Sequence, residues 1–106
     1  MTTEWVPAAC TLPTVDRPLR VAEFDELFAS ARVERLAADR LRLHLTPAPE
    51  VAGMAASLAA REIGCCSFFT FDLAVRTGAL TLEIGVPAGQ LEVLDALGTR
   101  AEAMRA

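Results

Sequence analysis

The sequence predicts an α+β fold in which two αββ units form one antiparallel four-stranded sheet, with helices on one face and an extended N-terminal arm. Two pairs of short segments show alternating hydrophobic residues, and a tight turn joins the members of each pair. Segments with helical periodicity precede each pair and follow the second. Because 106 residues support one core, we expect a single domain over residues 1–106, with the arm at 1–19 and the α+β core at 20–106.

The first half of the chain supplies the arm, a helix and a hairpin. Three of the six prolines fall within residues 1–19, which favours extended backbone there. Strands are expected from Ala31 to Leu36 and from Arg40 to Leu45, because three leucines alternate with polar residues in the second segment. The preceding helix is predicted from apolar residues at helical spacing: Val21, Phe24, Leu27, Phe28 and Ala31.

The second half repeats this order and adds a closing helix. A helix is predicted from the prolines at 47 and 49 to about Ile63, with Gly64 ending it. Alternating residues then predict strands over 69–75 and 80–86, around a turn at 76–78. The last helix begins near Ala88 and places five residues on one face: Leu91, Leu94, Leu97, Ala101 and Met104.

Charge and hydropathy exclude several classes of partner. The net charge is −4 and the arginines are scattered, which argues against nucleic-acid binding. No apolar run approaches the roughly 20 residues that cross a bilayer, and the first residues lack a secretion signal. We therefore expect a cytoplasmic protein without membrane contact. In that compartment the three cysteines, Cys10, Cys65 and Cys66, are expected to be free thiols.

One carboxylate stands out of place. On the second predicted helix, Val51, Met54, Ala55 and Leu58 form the buried stripe, and Glu62 falls near the middle of it. Burying a charge is costly and is usually met by neutralisation or by a partner. The alternative is that the helix end has reached the surface, so that Glu62 is solvated.

The adjacent pair Cys65-Cys66 follows Glu62 by three and four residues and suggests a soft-ion site. Thiolates prefer Hg(II), Cu(I), Zn(II) and similar ions, and arsenite fits the same preference. Cys10, on the proline-flanked arm, could add a third sulfur. The alternative is that each cysteine is a small buried hydrophobic residue, which we favour for Cys10 taken alone.

Three other residues are weaker candidates for this site. Arg61 could lower the pKa of Cys65, although an exposed helical arginine is the default interpretation. His44 could be a fourth ligand or a base, but a solvated histidine on its strand is the better interpretation. Phe68 could form a wall of the site, whereas Phe69 and Phe71 are expected to alternate into the core.

The segment Glu62-x-x-Cys65-Cys66-x-Phe68-Phe69-x-Phe71 resembles a cysteine-pair segment of small bacterial proteins, and similar segments occur in some regulators of heavy-metal resistance. The resemblance implies thiol-based handling of a metal or metalloid, with Cys10, Cys65 and Cys66 as the matching positions.

Three functions remain open from the sequence. The first is binding of a soft ion by Cys10, Cys65 and Cys66, as a chaperone, buffer or sensor. The second is a small thiol enzyme, in which Glu62 would supply a proton as an acid does in organomercurial lyases, or in which the thiols would reduce an oxyanion. The third is an interaction module with incidental cysteines, whose sheet edges or arm would pair two copies as a homodimer or dock on another protein.

Overall fold

The computed structural model describes residues 17–65 and 67–104, and within these ranges the side chains of residues 22–64 and 67–104. The described residues form three α helices: α1 (Arg17–Phe28), α2 (Pro49–Cys65) and α3 (Leu91–Met104). Four strands accompany them: β1 (Ala31–Ala37), β2 (Arg40–Leu45), β3 (Thr70–Arg76) and β4 (Ala79–Gly85). A 3-10 turn, Ala88–Gln90, leads into α3.

The four strands form one antiparallel sheet in the order β1-β2-β4-β3. Each hairpin pairs its own two strands, and the hairpins join through β2 and β4, where Leu43 lies opposite Leu82. The predicted architecture of two αββ units in one antiparallel four-stranded sheet is therefore confirmed.

All three helices cover the same face of the sheet, and the core lies between them. Burying one large apolar side chain there contributes about 2 kcal/mol. The strands and the helices both contribute to the core side chains that are at most 2% exposed: Leu41, Leu43, Leu82, Ile84, Phe24, Phe28, Leu94 and Leu97. None of the helices in the described part of the chain is long and apolar enough to cross a membrane.

The other face of the sheet carries an ion-pair network. Arg42 Nη2 lies 2.8 Å from Glu83 Oε2 on the neighbouring strand. Arg40 also forms an ion pair with Glu83. Its Nη2 lies 2.7 Å from Oδ2 of Asp72 on β3. Hydrogen bonds from Arg42 and Arg40 hold the pKa of Glu83 below its ordinary value. Polar pairing therefore ties β2, β4 and β3 together on the face that the helices leave open.

Two element boundaries differ from the sequence prediction. Helix α1 begins at Arg17, so part of the predicted arm is helical, and residues 1–16 lie outside the described residues. Helix α2 continues through Gly64 to Cys65, two residues beyond its predicted end. A glycine that ends a helix usually adopts a positive φ, but among the described residues only Gly78, in the turn between β3 and β4, does so.

Candidate functional site

The chain connections place the end of α2 and the start of α1 at the same end of the helical layer. Helix α1 leads into β1 at Ala31, and α2 follows β2 after Leu45. Ala31 and Leu45 are opposite each other in the sheet, so α1 ends where α2 begins and the two helices run antiparallel. The start of α1 at Arg17 therefore lies near the end of α2 at Cys65.

An ion pair between the two helices agrees with this arrangement. Arg61, four residues before the end of α2, pairs with Glu23 near the middle of α1. The default interpretation of Arg61 as an exposed helical arginine is consistent with this partner, because its side chain is 46% exposed. Its guanidinium also helps fix the distance between α1 and the last turn of α2.

Glu62 lies in the core. Its side chain is 0% exposed, and it is the one buried charged residue of the described part of the chain. Ala55 and Leu58 on the same face of α2 are 0% and 1% exposed. The helical periodicity therefore placed Glu62 correctly, and the alternative of a solvated helix end is wrong. A carboxyl group occupies a position that an apolar residue could fill.

Cys65 is part of the same continuous helix as Glu62. A separation of three residues corresponds to a rise of about 4.5 Å and puts the two backbone positions on neighbouring parts of one helix side. The structure describes Cys65 by its backbone alone, and Cys10 and Cys66 lie outside the described residues. The convergence of the three sulfurs thus stays a prediction, whereas the helical phase between Glu62 and Cys65 is defined.

The phenylalanines after the cysteine pair anchor the beginning of β3. Phe69 is 2% exposed, and Phe71 packs against the core as expected. Phe68 is also packed against the core, with its ring centroid 4.7 Å from that of Phe69. This aromatic packing fixes the chain that leads from Phe68 into β3.

His44 belongs to a different surface. It lies on the open face of the sheet, where its Nε2 is 2.7 Å from Glu34 Oε1. The hydrogen bond to His44, more than the nearby Arg42 charge, lowers the pKa of Glu34. Because the sheet separates His44 from the helical layer and Glu62, it is not placed to act as a fourth ligand or a base there.

The described side chains contain no group of three or more His, Cys, Asp or Glu residues arranged to hold a metal ion. None of the three cysteine side chains is among them. Of the predicted site residues, the structure therefore describes the side chain of Glu62 alone.

Strand β3 carries an exposed apolar surface that the sequence pattern did not predict. The alternation of Leu73 and Val75 predicted a half-buried strand, yet these side chains are 36% and 70% exposed. A groove of about 420 Å³ lies beside Val75, between the β3–β4 turn and the first turn of α2. Alternation identifies the face on which a residue lies but not whether its strand is at an edge.

No protein-family model, no curated protein and no solved structure matches this chain, so the residues and their geometry carry the functional inference.

Proposed function

We propose that this protein binds a thiophilic metal or metalloid ion through Cys65, Cys66 and Cys10, and that Glu62 accepts the thiol protons or supports the ligands. The protein would act as a chaperone, buffer or sensor for that ion. The observation that carries the proposal is the burial of Glu62, 0% exposed, one helical turn before Cys65.

The chemistry of thiolate ligation gives this carboxyl group a purpose. Cysteines must lose their protons when they bind a metal. A carboxylate removed from water takes up a proton more readily than an exposed one. We propose that Glu62, three residues before Cys65 on the same helix, receives a proton as Cys65 becomes a ligand.

The antiparallel arrangement of α1 and α2 allows Cys10 to contribute. Cys10 precedes Arg17 by seven residues, a length that spans at most about 25 Å when fully extended. Because α1 begins at the same end of the helical layer as the end of α2, Arg17, to which this segment is joined, lies near Cys65. Three sulfurs would form a trigonal site.

The ligand set selects the class of ion. Thiolates bind Hg(II), Cu(I), Zn(II) and arsenite in preference to hard ions such as Mg(II) or Ca(II). A site with three sulfurs and no described histidine nearby favours ions that accept trigonal sulfur coordination, which places Hg(II), Cu(I) and As(III) before Zn(II).

Titration of the reduced protein tests the proposal. Hg(II), Cu(I), Zn(II) and arsenite are added in turn while the ultraviolet thiolate–metal band is followed. We expect a saturable band at one equivalent of at least one ion, loss of that band in the Cys65→Ser/Cys66→Ser variant, and weaker binding in Cys10→Ser. The exposed Ser67→Ala substitution is the matched control and should leave the titration unchanged. Spectra that do not change, or binding equal in the double variant, would refute the proposal.

The burial of Glu62 also favours one enzymatic alternative, protonolysis of a carbon–mercury bond. The thiolates would hold the mercury of an organomercurial, and the carbon–mercury bond pair would take the proton of Glu62 to form a hydrocarbon. Mercury would stay on the sulfurs, and water would reprotonate Glu62. Glu62→Gln should then abolish hydrocarbon release while Hg(II) still binds. Absence of release from the parent protein excludes this alternative and leaves the binding function.

A further inference from the structure

We infer that two copies of this chain pair through the free edge of β3, about a two-fold axis at Ala74, to give a continuous eight-stranded antiparallel sheet. The inference is independent of ion binding. It rests on the backbone of β3, on the apolar residues beside it and on the order of its charged residues.

Strand β3 is the edge that can accept another strand. Its register with β4 is regular from Thr70 to Arg76, and it contains no proline. The opposite edge, β1, is interrupted by a register shift between Arg35 and Ala37. Irregularities of this kind hinder edge-to-edge pairing. A regular seven-residue edge strand leaves one row of backbone N–H and C=O groups without sheet partners.

Two of the three exposed large apolar residues of the described chain lie on β3 itself, and the third lies on α2. They are Ile63, Leu73 and Val75, at 44%, 36% and 70% exposure. Ala52 of α2 lines the groove next to Val75. Ile63 follows Ala52 by eleven residues, or about three helical turns, so it lies on the same flank of α2. Two elements thus present apolar side chains toward the space that a second strand would occupy.

The charges on β3 identify a second copy of this chain as the partner. In an antiparallel pair centred on Ala74, Asp72 faces the partner's Arg76 and Leu73 faces the partner's Val75. Two-fold symmetry repeats each pair. The side chain of Asp72 is 67% exposed, and Arg76 is also exposed, so both can make this contact. The opposite charges lie on the open face of the sheet and the apolar pairs lie on the helical face.

If the two-fold axis is moved by one residue along β3 in either direction, the Asp72–Arg76 charge pair is lost. Moving the axis to Leu73 places Asp72 opposite alanine, and moving it to Val75 places Arg76 opposite alanine. Cross-strand pairs of opposite charge and apolar pairs each stabilise a sheet, whereas like charges directly opposite each other destabilise it. The Ala74 register is therefore the one in which the sequence of β3 complements itself.

Charge reversal tests both the partner and the register. Sedimentation equilibrium of the parent protein should give about twice the 11.3 kDa chain mass. Asp72→Arg and Arg76→Asp each place two like-charge pairs at the interface, and each should weaken self-association at least about tenfold. An equimolar mixture of the two variants restores every opposite-charge pair and should form a heterodimer. Glu102→Arg, at an exposed position of α3, is the matched control, and this variant should remain dimeric.

The outcomes separate the possibilities. Circular dichroism of each variant establishes that it is folded, and Val75→Lys, which changes the apolar pair but neither charge, should also give monomers. A monomeric parent protein overturns the inference. So does a dimer that both single reversals leave intact, since its interface would lie elsewhere. A mixture that stays monomeric although the parent dimerises overturns the Ala74 register.

Discussion

Replacing Gly64 with alanine tests the helical connection between Glu62 and Cys65. An added Cβ at Gly64 meets no heavy atom within 4 Å, and the residue is exposed within α2. In a helix, alanine is more stable than glycine by about 0.5–1 kcal/mol. For a domain of this size 1 kcal/mol corresponds to roughly 4–8 °C in Tm. We therefore expect Gly64→Ala to raise Tm by about 2–8 °C.

The sign of this change discriminates between two helix ends. If Gly64 were a left-handed cap, alanine would cost about 1 kcal/mol and Tm would fall. Thermal unfolding followed by circular dichroism, with urea titration at 25 °C, measures the difference. Gly53→Ala, in the middle of the same helix and also without a close neighbour, is the positive control. Gly78→Ala, at φ 70°, is the negative control and should lower Tm. A fall in Tm for Gly64→Ala, with both controls as expected, would refute a helix that continues to Cys65.

Three further predictions concern the sheet and the helical layer. Leu82→Ala removes a fully buried side chain from a central strand and should cost about 3 kcal/mol in the free energy of unfolding, measured with urea; a cost below 1 kcal/mol would contradict the packing. Because Glu83 has a lowered pKa, its stabilising contribution is present above the ordinary value of 4.5 and is lost as the pH falls through the lowered value. Arg42→Gln should therefore reduce the loss of stability that follows as the pH falls below 4.5, and an unchanged pH profile would show that Arg42 does not hold this carboxylate. Arg100 makes two hydrogen bonds to Asp25, at 2.9 and 2.7 Å, and a double-mutant cycle should give a coupling of about 1–2 kcal/mol; a value near zero would exclude this link between α3 and α1.

The hydrophobic pattern correctly predicted which residues of β2 and of α2 face the core. The limits of β2 agree with the prediction because Leu41 and Leu43 alternate with polar residues over the whole strand. The burial of Glu62 followed from helical periodicity, since Leu58, one turn earlier, is also buried. Both results depend on spacing within a single element, which the sequence states directly.

Relations between elements were not predictable in the same way. The alternation in β3 resembles that in β2, yet Val75 is largely exposed because β3 is an edge strand and α2 leaves that residue uncovered. Gly64 favours a helix end by its backbone freedom, but the helix continues through it. For the site, the sequence predicted the carboxyl group and its position on α2. The approach of Cys10 depends on how residues before Arg17 are placed, which no local pattern determines.

The pairing of β2 with β4, which connects the two αββ units, has a consequence for synthesis of the chain. The first αββ unit emerges before the strand that pairs with β2 exists, so the hydrogen-bonding groups along that side of β2 and the leucines beneath it stay open to water. About 45 residues rarely bury enough surface to be stable alone. The nascent first half is therefore expected to gain its stability only after β4 leaves the ribosome, and until then it is the part of the protein most exposed to aggregation and in need of a chaperone.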